Sequence, residues 1–285
     1  MKTAEIYRSL VLSLIACCLP FSPCESASKP VSQSHNPAQL LEDSNAFADI
    51  ANLPLIPSKT STVFRAKEGG WQFNLHSYLI HLDGKFCAMW TSGRVDEGAN
   101  GTIIRFETST DGHTWKKGPT ITRSPMKKDG KPGMAIARGL FIKDGKLNAL
   151  VAFMDKDIWS KNVYKKGWKN LRLMRFEWDG VKWNNCGVYL DDCMNNYPPR
   201  PIKDKLFMTR RDGKSRNVYT VLADSLKGEK WTSTPLPGEP PADRMTEPTW
   251  FIDPDGIVHI VFRDMRRQGF LYRSLSHDDG ATFSA

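Results

Sequence analysis

Arginines recur in this chain at places where a hairpin is about to turn. Arg138 stands in Ala137-Arg138-Gly139, six residues before Asp144-Gly145, and Arg200 stands in Pro199-Arg200-Pro201, just before Lys203-Asp204. Arg210-Arg211-Asp212 lies on the far side of that second turn. Glu247 holds the same position ahead of Asp255-Gly256, and Asn74 and His76 hold it ahead of Asp83-Gly84. A guanidinium grips a carboxylate through its planar fork. An imidazole can hydrogen-bond a sugar or move a proton near neutral pH. If the stretches before these turns share one register, Asn74, His76, Arg138, Arg200 and Glu247 surround one funnel. That funnel is rich in positive charge around a single carboxylate.

The elements that must position them are strands. Four segments open on a turn and continue as a hydrophobic run: Asp83 to Trp90, Asp144 to Val151, Lys203 to Met208 and Asp255 to Phe262. Each is followed by another strand, a turn and an aromatic, Trp115, Trp183, Trp231 or Phe283, spaced by 68, 48 and 52 residues. Repeats of about fifty residues match the four-stranded blade of a β-propeller. The expected fold is therefore all-β, with blades at 60–117, 121–186, 189–233 and 246–285; a β-sandwich is the alternative, with shorter and less regular intervals. Four blades leave no strand to close a ring, so the sequence reads as part of a longer propeller. Two turns share a further pattern, Ser109-Thr110-Asp111-Gly112-His113-Thr114-Trp115 and Ser276-His277-Asp278-Asp279-Gly280-Ala281-Thr282-Phe283. There an Asp can accept turn amides while Gly supplies a positive φ.

The 285 residues are 40% hydrophobic and 25% charged, ample for a core. Lys2 and Arg8 flank an apolar run from Leu10 to Leu19, too short for a bilayer span and suited to a signal peptide over 1–26. Leu14-Ile15-Ala16-Cys17 also resembles a lipobox, which would leave a lipid anchor at Cys17. A secreted or periplasmic protein is expected, with an envelope lipoprotein as the alternative. Residues 27–58 are polar and read as a linker or strap. The net charge of +9 is scattered, with no basic helix, which argues against nucleic acid and for an anionic glycan. Cys186 and Cys193 are close enough in sequence for a disulfide, and Cys87 reads as a buried thiol. No spacing of ligand residues points to a metal, and no cofactor is expected.

From about residue 60 to 285 the chain resembles the sialidase (neuraminidase) superfamily, six-bladed propellers whose S-x-D-x-G-x-T-W turns are called Asp boxes. In that resemblance Asp111 and Asp278 are structural. The stretch Thr246-Glu247-Pro248-Thr249-Trp250, followed by Asp255-Gly256 and then Val261-Phe262-Arg263-Asp264, is similar to the family's Glu, strand, turn, strand, Arg sequence, with sixteen residues from Glu247 to Arg263. The resemblance implies that Glu247 deprotonates a tyrosine nucleophile and that Arg263 grips the substrate carboxylate. Asn74 stands where the family has an arginine, and His76 where it has a proline. Asp96 in the glycine-rich loop 92–101 is the implied acid/base, with Glu97 as the alternate. Tyr272 is too early for the nucleophile, which together with a third arginine is expected beyond Ala285. The implied activity is retaining hydrolysis of a terminal acidic sugar, sialic acid or similar, by an exported enzyme. Two other readings stay open: a polysaccharide lyase or other glycosidase using His76, Tyr197, Arg138 and Arg200, and a non-catalytic propeller that binds acidic glycans.

Overall fold

The computed structural model describes residues 57–96, 99–155, 168–237, 245–264 and 271–284. The expected signal peptide, the lipid site Cys17, most of the linker, and Glu97 lie outside the described residues. Four antiparallel sheets follow one another along the chain. The first holds β1 (Phe73–Leu82), β2 (Lys85–Gly93), β3 (Ile103–Ser109), β4 (Lys116–Lys117) and β5 (Thr122–Arg123). The second holds β6 (Met134–Lys143), β7 (Lys146–Met154), β8 (Arg172–Trp178) and β9 (Trp183–Asp191). The third holds β10 (Met194–Asn195), β11 (Arg200–Ile202), β12 (Lys205–Arg211), β13 (Val218–Ala223) and β14 (Trp231–Pro235). The fourth holds β15 (Met245–Ile252), β16 (Val258–Asp264) and β17 (Leu271–Ser276). No helix is present among the described residues, and so none is long and apolar enough to cross a membrane.

Two blade boundaries shift from expectation. Thr122–Arg123 pairs with β3 and belongs to the first sheet. Tyr189–Asp191 stays in the second sheet, because β9 keeps pairing with β8 as far as Arg172↔Asp191 after its bulges.

The hairpins are spelled by their turns. Asp83-Gly84 and Asp144-Gly145 both take positive φ at the two central residues, 49° and 71°, then 51° and 72°. That geometry matches the right-handed twist of the strands it joins. The two serine-aspartate turns are tied by their own side chains. Asp111 Oδ1 accepts from the amides of His113 and Thr114 at 2.8 and 2.7 Å, and Ser109 Oγ accepts from Gly112 N. Asp278 Oδ1 accepts from Thr282 N at 2.8 Å and its Oδ2 from the Thr282 hydroxyl at 2.6 Å. Both carboxyls sit below the ordinary aspartate range, held there mainly by these hydrogen bonds.

Burial explains why the sheets stack in sequence. Met89, Ile104 and Phe106 of the first sheet pack on Ala137, Leu147 and Val151 of the second. The other face of the second sheet, with Ile136, Phe141 and Leu150, packs on Met194, Met208 and Val221 of the third. Phe207 and Ile202 of the third pack on Trp250, Ile260 and Phe262 of the fourth. A sandwich has one core between two sheets; here three seams separate four sheets. The second sheet is covered on both faces, which is why β7 reads as an apolar run, Leu147 to Met154, broken only by a buried Asn148. The blade-end aromatics close these seams. Trp183 meets Phe106 at 5.0 Å between ring centroids, Trp231 meets Tyr189 at 5.5 Å, and Phe283 meets Phe207 at 5.8 Å. Each reaches back to the preceding sheet. Trp115, in the first sheet, instead bonds Ser61 of the segment leading into β1.

All three described cysteines are free thiols. Cys186 is exposed on β9 while Cys193 is wholly buried in the seam between the second and third sheets, so the expected local disulfide is absent. Burial pushes the Cys193 thiol up to about 12.

Candidate functional site

The first strand of every sheet is interrupted. β1 slips register against β2 between Leu75 and Tyr78, and β6 slips against β7 between Ala137 and Gly139. β15 slips against β16 between Thr246 and Thr249. In the third sheet the strand is split into β10 and β11, with residues 196–199 between them. A bulge re-aims the side chain at the extra residue. The residues so re-aimed are His76, Arg138 and Glu247. His76 and Glu247 hold left-handed φ values of 56° and 52° without being glycine, and Gly139 stands at 138°. Such backbone costs on the order of 1–3 kcal/mol per residue and persists where the surroundings impose it.

Arg211 of the third sheet connects these side chains. Arg138 and Arg211 both act on the His76 imidazole. Burial first, then these two guanidiniums, lowers its pKa to about 3, so the ring is neutral at any physiological pH. Tyr78 donates its hydroxyl to Asn196 O at 2.5 Å and also engages the Arg138 side chain. Burial raises the Tyr78 phenol above its ordinary value, and Arg138 opposes that rise. Arg211 donates to Thr246 Oγ1 at 2.6 Å and to Asn196 Oδ1 at 3.4 Å. Its guanidinium and that of Arg216 both lie 5.1 Å from the centre of the Trp168 ring. Burial first, and then Arg138, pulls Arg211 down to about 9; Glu247 opposes this, while Arg216 and Arg263 add to it. Glu247 Oε1 and Arg263 NH2 form an ion pair at 3.0 Å, each side chain about half exposed. Residues from all four sheets thus build one arginine-rich cluster, with Arg211 as the link between His76 and Arg138 on one side and Glu247 and Arg263 on the other. Among the described residues, no group of three or more His, Cys, Asp or Glu side chains is placed to hold a metal ion.

No protein-family profile and no curated sequence matches the chain. Solved structures do. A Hadza microbial sialidase, Hz136, aligns at a TM-score of 0.56 with 16% identity, over 74% of this chain and 46% of that one. The sialidase of Trypanosoma rangeli in complex with sialic acid aligns at 0.54 with 16% identity, over 81% and 41%. The intramolecular trans-sialidase of Ruminococcus gnavus, in complex with oseltamivir carboxylate, aligns at 0.55 with 13% identity, over 79% and 72%. The fold is a sialidase-like β-propeller. The chain spans less than half the length of the first two of these structures.

In this sialidase-like propeller the sequence-derived candidates part company. His76, Arg138, Glu247 and Arg263 fall in the cluster. Asn74 does not: its Oδ1 accepts from Trp90 Nε1 at 3.0 Å and from Ser92 Oγ at 2.5 Å, tying β1 to β2. The bulge separates Asn74 from His76, so shared register along β1 does not carry both to one place. Arg200 also departs. Its guanidinium lies 3.9 Å from the centre of the Trp250 ring and donates to Trp250 O, bracing the third sheet on the fourth. Asp96 lies in the loop after β2, its carbonyl oxygen 3.1 Å from where a Cβ on Gly93 would sit. Arg211 and Tyr78 join the cluster although repeat phase does not single them out. The doublet Arg210-Arg211 holds the signal for one of them. Neighbouring strand residues face opposite ways, so Arg210 lies over Tyr219 and bonds Asp192 O, while Arg211 turns to the cluster.

Proposed function

We propose that this protein is an exported glycoside hydrolase that removes a terminal acidic sugar, sialic acid or a relative of it. The observation that carries this reading is a connected cluster within a sialidase-like propeller, in which Arg138 and Arg211 act on His76 while Arg211 and Arg263 act on or pair with Glu247. It is supported by the ligand named for one neighbour, a Trypanosoma rangeli sialidase bound to sialic acid. In this reading the guanidiniums receive the sugar carboxylate as charge-assisted pairs. An anionic sugar repels a carboxylate nucleophile, so a neutral tyrosine activated by Glu247 suits the bond cleavage, which would then retain configuration. The nucleophile is not assigned among the described residues. Asp96 serves as acid/base, and neutral His76 hydrogen-bonds the sugar. Export rests on the charged and apolar pattern of residues 2–19, and the lipid anchor at Cys17 is the variant of it. The direct test is hydrolysis of a fluorogenic sialoside by wild type and Glu247→Gln. A fall in kcat/KM of about 100-fold or more is expected. Equal activity in the two proteins removes Glu247 from the mechanism.

A second reading is favoured by one observation, that a neutral His76 and Tyr78 share Arg138 while Arg211 also acts on His76. On a 4-linked uronate, Arg138 and Arg211 would neutralise the carboxylate and His76 would take the C5 proton. The C4–O4 bond would break as C4=C5 forms, and Tyr78 would protonate O4. New ultraviolet absorbance from an unsaturated product on polyuronates selects this lyase reading over hydrolysis. Sugar binding without turnover of either substrate selects a glycan-binding propeller.

A further inference from the structure

We infer that Asn195 is a positioning residue of the anion site: its buried side-chain amide clasps the Arg138 bulge to the Tyr197 turn and so fixes where the Arg138 guanidinium points. The inference rests on the acidic-sugar reading of that site.

Asn195 ends β10 and has no exposed surface. Its Nδ2 donates to Arg138 O at 3.0 Å and to Tyr197 O at 2.8 Å, one amide serving two sheets. The first of those carbonyls lies at the register slip of β6, where regular pairing with β7 is broken. A buried carbonyl without a partner is costly, so the amide meets a need that the ladder leaves open there. From the other side Pro198 is pressed onto the same bulge. A Cβ on Gly139 would stand 2.5 Å from Pro198 Cδ, and the φ of 138° at Gly139 already disfavours any side chain. The next link runs through Asn196, whose carbonyl takes the Tyr78 hydroxyl while Tyr78 engages the Arg138 side chain. The Arg138 backbone is therefore held by Asn195, and its guanidinium by a phenol that Asn196 holds. The break between β10 and β11 is the means by which the third sheet reaches both β1 and β6.

The test has two arms. Hydrogen exchange reads the clasp without any ligand. In Asn195→Leu, which has the same side-chain heavy-atom count and branching but no donor, the amides of residues 137–140 should lose protection while those of β7 and β8 keep theirs. Unchanged exchange at the bulge overturns the inference. The second arm is a double-mutant cycle on binding of N-acetylneuraminate and of glucuronate, titrated calorimetrically. Arg138→Ala and Asn195→Leu are each expected to bind about tenfold more weakly. The double variant should bind no more weakly than Arg138→Ala, because Asn195 acts through Arg138. Losses that multiply overturn the positioning role, since a merely structural change would add its own effect. Asn195→Ala, which is smaller and also lacks the donor, takes the place of Asn195→Leu if the latter does not fold. Absence of sugar binding by wild type overturns the acidic-sugar reading and leaves the exchange arm to decide the clasp.

Discussion

His76 and Glu247 occupy left-handed backbone that their side chains do not favour, and both face the arginine cluster. For Glu247 the consequence is a split between stability and activity. Glu247→Gly relieves the φ of 52° but gives up a half-exposed ion pair and the countercharge that Arg211 feels, so its Tm should stay close to that of wild type while turnover is lost. A marked drop in Tm on thermal melting counts against strain at this position. His76 makes a pH-dependent contribution whose sign follows from its direction. Its folded pKa is about 3, against about 6.5 for a free imidazole, so the folded state refuses a proton that the unfolded chain accepts. Stability is complete above about pH 6.5 and falls as pH drops towards 3. Between pH 6.5 and 4.5 the loss from His76 is about 2 kcal/mol, and His76→Gln should make the fall in stability between the two pH values smaller by about that amount in urea titrations. Sequence pattern reaches His76, Arg138, Glu247 and Arg263 because each lies just before or after a legible turn. Asn74 and Arg200 are engaged outside the cluster, by Trp90 and Ser92 and by Trp250, because a bulge or a stacked tryptophan redirects a side chain without changing the spacing. Tyr78 stays hidden because a tyrosine in a strand usually reads as core.

At the scale of elements, the strands are legible from their turns. Asp-Gly at both central positions of a hairpin is almost a direct statement of backbone angle. The bulge of β1 is not legible, because nothing in Leu75-His76-Ser77-Tyr78 breaks β propensity, whereas Gly139 and Pro248 mark the bulges of β6 and β15. They follow from the neighbouring sheet, through contacts such as Pro198 on Gly139. The serine-aspartate turns are purely scaffold. Asp278→Ala removes the acceptor for the Thr282 amide and hydroxyl, and should lower the Tm by a few degrees while leaving kinetics on a sialoside unchanged. A change in kcat without a change in Tm would contradict that assignment. Gly280 stands at φ 85°, and a Cβ there would sit 3.0 Å from the Phe207 ring, so the turn also sets how Phe283 enters its seam.

The molecule as a whole is a series of seams, each closed by an aromatic from the later sheet. Phe207 is the hub of the last one, in edge-to-face contact with Trp250 at 4.9 Å and stacked on Phe283. Phe207→Ala should cost about 3–5 kcal/mol. In that variant hydrogen exchange should rise in the third and fourth sheets before the first, and uniform loosening would argue against separable seams. The seams also bear on how the site can be watched. Trp168 lies beneath two guanidiniums, those of Arg211 and Arg216. Indole emission responds to charge near the ring, because excitation shifts electron density across it. An anion arriving at Arg211 would alter that field, so the chain carries its own optical gauge of occupancy. Among nine tryptophans its signal is isolated by subtracting the spectrum of Trp168→Phe, which turns a packing contact into a titration signal needing no added dye.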